Sequence, residues 1–145
     1  MEKIYYSLKQ GLLLIFLFVI SQVLYKYFPQ VIYLLKWTAD RYYVLFILII
    51  SLNYFDKFDI SKFLLNGHVL GLIIGEIGGG IIYFSNVKKI TPDMSPEEVY
   101  SLSKNPAVLI YFCIVFLFLL YGFYREKKEK VLDFPLDFKD HPYYP

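Results

Sequence analysis

In a chain of 145 residues, 57% hydrophobic with a mean hydropathy of +0.47, there is more apolar material than a soluble domain of this size can bury. The net charge of +2, with no basic stripe along a polar segment, excludes a nucleic-acid-binding surface. Cys113 is the lone cysteine, so no intrachain disulfide forms, and its apolar flanks predict a buried, inert thiol.

The apolar residues fall into four blocks separated by charged punctuation, which predicts an all-α polytopic integral membrane protein. The expected architecture is a four-transmembrane-helix bundle occupying residues 1–130 as a single domain. A short interfacial helix and a short loop helix complete it, and residues 131–145 form a disordered cytoplasmic tail. Tyr and Phe are abundant alongside Ile and Lys, which a bias toward A/T-rich codons explains, so the aromatic content carries no functional signal.

Residues 11–28 form the first expected span. No small-x-small site follows them, so they read as a retained helix rather than a cleaved leader. Gln22 is its strongly polar interior residue and is expected to bond to a neighbouring helix. Pro29 ends that helix. The stretch from Val31 to Trp37 carries Lys36, with Asp40 and Arg41 close behind, which places it at the membrane interface with Trp37 at headgroup depth.

Tyr42 to Phe55 holds fourteen uncharged residues, about 21 Å as a helix, short for a crossing. It spans if Arg41 snorkels and the helix starts near Thr38, giving limits of 38–55; the alternative is a re-entrant hairpin. Asp56 to Asp59 is a polar turn, after which Asp59 or Ser61 is expected to cap a third span over 63–84. Residues 85–104 form the one sizeable polar connection. Within it, Ser95-Pro96-Glu97-Glu98 is a capping box with proline at the first helical position, predicting a helix from Pro96 to about Ser103. The last span covers 106–124, contains no charge, and is expected to face lipid. Arg125, Lys127, Lys128 and Lys130 follow it directly, so that end is cytoplasmic, and four spans return the amino terminus to the same side.

The third span holds the candidate functional residues. Gly67, Gly71, Gly75 and Gly79 recur every fourth residue and predict a groove that admits another helix backbone. Glu76 and His68 lie on the same helix, where an ionisable group is costly and therefore a candidate for function. They are separated by about 12 Å along the axis and cannot bond to each other. Partners must come from elsewhere, and Gln22, Ser51, Asn53 and Tyr111 are the polar groups that other spans offer.

Gly75 to Gly80 lacks the Gly-Lys-Ser/Thr ending of a phosphate loop, and the two histidines are too few for a zinc site. No hydrolase or metalloprotease motif occurs. The expectation is therefore a non-enzymatic protein without cofactor, metal or catalytic residues. It would be a multi-pass accessory or assembly subunit of the plasma membrane, packing on a second copy or another membrane protein through its glycine face. The alternative is a proton- or cation-coupled transport component in which Glu76 and His68, with Gln22, line a pathway.

Overall fold

The computed structural model describes residues 2–28 and 33–132, so the expected helix stop at Pro29 and the expected disordered tail beyond residue 132 lie outside the described residues. Six helices follow in order: α1 (Glu2–Tyr27), α2 (Tyr33–Ala39), α3 (Tyr42–Tyr54), α4 (Phe58–Val87), α5 (Pro96–Leu102) and α6 (Ala107–Leu132). The described residues are all helix and connection, without strands. Three helices, α1, α4 and α6, are long and apolar enough to cross a membrane. Four crossings are not established, because the thirteen residues of α3 give only about 20 Å.

The expected bounds change in ways the backbone explains. α1 begins at Glu2 rather than residue 11, because Lys9 and Gln10 do not interrupt the helical hydrogen bonding of a stretch with no Gly or Pro before Gly11. α4 begins at Phe58, five residues before the expected start, and neither Asp59 nor Ser61 caps it; the N-cap position is Lys57, without a side-chain cap bond. Ser61 instead turns inward. α6 runs on to Leu132 through the charged cluster, which continues the helix instead of ending it.

The second expected span is broken. Thr38 belongs to α2, and the helix is interrupted at Asp40 and Arg41 before α3 resumes at Tyr42. The stretch expected to lie at the interface has Leu34, Thr38 and Ala39 buried, and it packs against α1, α4 and α6. The α3–α4 turn is compact. Asp56 adopts a positive φ of 57°, the Lys57 N–H reaches the Leu52 carbonyl at 2.8 Å, and the Asp56 N–H reaches Asn53 at 3.2 Å. This double closure is a Schellman turn in which aspartate takes the left-handed position usually given to glycine.

α4 is the axis of the molecule and packs chiefly against antiparallel α6. One core forms around Leu14, Tyr42, Leu45, Ile49, Leu64 and Leu65, joining α1, α3 and α4. A second, Leu34, Leu72, Ala107 and Tyr111, joins α2, α4 and α6. The Lys57–Glu126 ion pair ties the start of α4 to the far end of α6. Cys113 is exposed on α6, not buried: on a helix whose neighbours are apolar on every side, composition does not say which face turns inward.

Candidate functional site

The four glycines form the seam between α4 and α6. A Cβ on Gly67 would meet Phe118 at 2.7 Å, and one on Gly71 would meet the Tyr111 ring at 2.9 Å. On Gly75 it would meet Leu34 at 2.7 Å and the Ala107 carbonyl at 3.0 Å, and on Gly79 it would collide with the Ala107 backbone itself. Below Gly67 the roles exchange: Gly122 of α6 lies against Ile60 and Phe63 of α4, with the Ile60 Cα 3.2 Å from where its Cβ would be. The groove expected on the third span therefore receives the chain's own last helix. A glycine on that last helix completes the seam, though sequence inspection did not single it out.

Glu76 lies beside this seam and reaches across to α2. Its Oε2 accepts the backbone N–H of Leu34 at 2.9 Å and of Leu35 at 3.1 Å. The opening N–H groups of a helix have no partner inside it, and a helix that begins among other helices cannot leave them to water. The carboxylate supplies the acceptor and sits at the positive end of the α2 dipole. Within α2, the Thr38 hydroxyl donates back to the Leu34 carbonyl at 3.0 Å.

His68 is fully buried, and both ring nitrogens are engaged by tyrosines from different helices. Nδ1 lies 2.9 Å from the Tyr111 hydroxyl of α6, and Nε2 lies 3.0 Å from the Tyr42 hydroxyl of α3. Tyr42 is in turn 3.3 Å from Ser21 Oγ of α1, which donates to the Leu17 carbonyl at 2.8 Å.

Counting donors along this chain gives one self-consistent set of proton directions. Ser21 has one hydroxyl hydrogen, given to Leu17, so Tyr42 donates to Ser21. The Tyr42 oxygen then accepts from His68 Nε2–H, and Nδ1 accepts from Tyr111. In that assignment the imidazole carries its hydrogen on Nε2. The chain ends on a backbone carbonyl, which passes no proton onward.

A third polar cluster lies one layer away. Ser61 donates to Asn53 Oδ1 at 2.7 Å and lies 3.0 Å from Gln10 Oε1, which also accepts from Asn53 Nδ2 at 2.8 Å. Gln10, Ser21, Tyr42, Asn53, Ser61, His68 and Tyr111 thus join α1, α3, α4 and α6 by side-chain bonds. Among the described residues no buried side-chain polar atom lacks a partner, and no group of three or more His, Cys, Asp or Glu side chains stands close enough to hold a metal.

Of the expected site residues, the structure brings His68 to Tyr111 and Glu76 to α2, and holds these two apart. Gln22 is exposed on α1 and reaches neither; its neighbour Ser21 is the buried polar group. Tyr42 and Gln10 were missed because each stands at the charged edge of an apolar block, where composition marks a boundary rather than an interior. Family models, curated proteins and solved structures all give no match to this chain.

Proposed function

We propose that this chain is a four-crossing protein of the plasma membrane with both termini cytoplasmic, acting without catalysis as an accessory or assembly subunit. The second crossing in this reading is the broken pair α2–α3. Contacts along α4 support it: Asn53 meets Ser61, Tyr42 meets His68, and Leu34 meets Glu76, so the pair runs antiparallel to α4 from end to end. A break within the bilayer is tolerated where the freed backbone groups find partners in the protein; here the Arg41 N–H reaches the Thr38 carbonyl at 2.9 Å and the Arg41 guanidinium the Trp37 carbonyl at 2.9 Å.

The observation that carries the functional reading is the engagement of the two ionisable interior groups. Glu76 caps a helix and His68 joins three helices, so neither lines an open path. Transport through them would need a continuous chain of proton acceptors, whereas this one stops at the Leu17 carbonyl. With the glycine face filled by α6, a partner protein in this reading packs on the outer face of α4, where Ile73, Ile77 and Ile81 are exposed.

A photo-crosslinking side chain at position 77, activated in intact membranes, tests this. A discrete adduct heavier than the 17.2 kDa chain is expected, absent when the crosslinker is placed at exposed Leu109 on α6. Monomer alone from both positions overturns the subunit reading. So does a pH-driven cation flux in proteoliposomes that Glu76→Gln removes, which would restore the transport alternative.

A further inference from the structure

α3 and α6 both pack on α4 rather than on each other, and a groove of about 540 Å³ lies between them. Leu64 of α4 lines its floor, Val44 lines the α3 side, and Phe112 and Phe116 line the α6 side. It extends along roughly two helical turns, about 10 Å. Trp37 and Arg41, at the break between α2 and α3, complete the lining.

Water has no place in such a groove, because nearly every group along it is aliphatic or aromatic. Its size is that of a small-molecule site. The one full charge on its wall is the Arg41 guanidinium, which stacks on the Trp37 ring at 4.3 Å and gives one N–H to the Trp37 carbonyl at 2.9 Å. That bond draws the cation back one turn toward the start of α2, the direction in which the apolar run ends. Arg41 remains exposed, and one carbonyl uses only one of a guanidinium's five donors. The remaining fork matches a phosphate, and arginine pairs with phosphate through parallel bonds that a point charge does not make.

We propose that the α3–α6 groove binds an anionic phospholipid, with an acyl chain along Val44, Leu64 and Phe112 and the phosphate on Arg41. An apolar helix from a partner would fill the same space but would leave the guanidinium opposite nothing. A zwitterionic lipid offers the phosphate together with a competing ammonium. The charge decides between them.

Trp37 is the chain's single tryptophan and lines the groove, so it reports occupancy directly. The full chain is reconstituted in phosphatidylcholine vesicles containing a minor, equal proportion of phosphatidylglycerol or phosphatidylcholine brominated on the acyl chain. Bromine quenches tryptophan on contact. Brominated phosphatidylglycerol should be enriched at Trp37 about fivefold over brominated phosphatidylcholine, the effect of one basic residue on an anionic lipid. Arg41→Gln should abolish that preference. Val44→Phe, which narrows the groove and leaves Arg41 in place, should lower quenching by both lipids. Equal quenching by the two lipids in the unaltered chain overturns the proposal, as does a preference that survives in Arg41→Gln. Absence of quenching by either lipid also overturns it, because the groove is then covered by protein.

Discussion

Helix α4 is held by two unlike neighbourhoods. Toward α6 it presents Gly67, Gly71, Gly75 and Gly79, and the backbones approach until a methyl group would not fit. Toward α1, α2 and α3 it presents Ser61, His68 and Glu76, and it is joined by hydroxyls, amides, an imidazole and a carboxylate. In lipid the hydrophobic effect does not drive helices together, since the surrounding chains are as apolar as leucine. Close contact and polar bonds are the two substitutes; α4 relies chiefly on the first toward α6, where the His68–Tyr111 bond and the Lys57–Glu126 pair are added, and on the second toward α1, α2 and α3. The glycine side needs continuity along its length. The polar side depends on a few bonds at fixed places.

Breaking the glycine side should have the largest effect. Gly79→Leu places a side chain into the Ala107 backbone, which cannot withdraw without parting α4 from α6, and should destabilise the fold by about 3 kcal/mol or more. Gly80→Ala is the control one residue away, where an added Cβ meets nothing within 4 Å. It should stabilise by about 0.5–1 kcal/mol, because glycine in a helix interior carries an entropic cost that alanine avoids. Unfolding by sodium dodecyl sulfate in detergent micelles, followed by circular dichroism, separates the two. Equal effects from both variants would mean that the seam is not where α4 and α6 meet.

On the polar side the cost is smaller and local. Glu76→Leu leaves the Leu34 and Leu35 N–H groups without their acceptor. Loss of such bonds costs about 1–3 kcal/mol when the donors stay buried, toward the lower end among membrane helices because other partners are found. The loss should show as faster amide hydrogen exchange confined to α2, with the α4–α6 seam unchanged. Glu76→Gln retains an oxygen acceptor and should leave α2 protected. Should the Leu variant leave α2 as protected as before, the carboxylate is not what holds that helix.

How much of this was legible in the sequence follows the same division. The four-residue glycine period is a local signal, and so is the Ser95 capping box. Both are readable because the residues that interpret them are neighbours in the chain. What covers the glycines was not readable, since Ala107 and Tyr111 stand on another helix and nothing in α4 names them. Glu76 was conspicuous, yet its meaning lay 41 and 42 residues upstream, in the unpaired donors of a short helix whose start no cap residue announced. The choice of Gln22 over Ser21 failed by one position, for want of an amphipathic face: in an apolar helix all sides look alike, and a one-residue step turns about 100° around the axis.

The loop helix α5 stands outside both neighbourhoods and sharpens the contrast, because no residue of it is buried. Its order rests on the cap: the Glu98 carboxylate accepts the Ser95 N–H at 2.8 Å and the Ser95 hydroxyl at 2.9 Å, and the Glu98 N–H returns to Ser95 Oγ. These donors hold the Glu98 carboxyl below its usual value of 4.5. A group whose folded value is depressed adds stability that is complete above the unfolded value and lost as pH falls through the folded one. Helical 13C shifts over 96–102 should therefore persist at neutral pH and collapse toward coil values as the solution is acidified below 4.5, while α4 and α6 remain folded. Glu98→Gln, which keeps a side-chain acceptor but does not titrate, should remove the pH dependence and leave a weaker helix at every pH. If acid left α5 intact in the unaltered chain, contacts with α4 rather than the cap would be its support. Packing would then hold this helix too, and the distinction between α5 and the bundle would disappear.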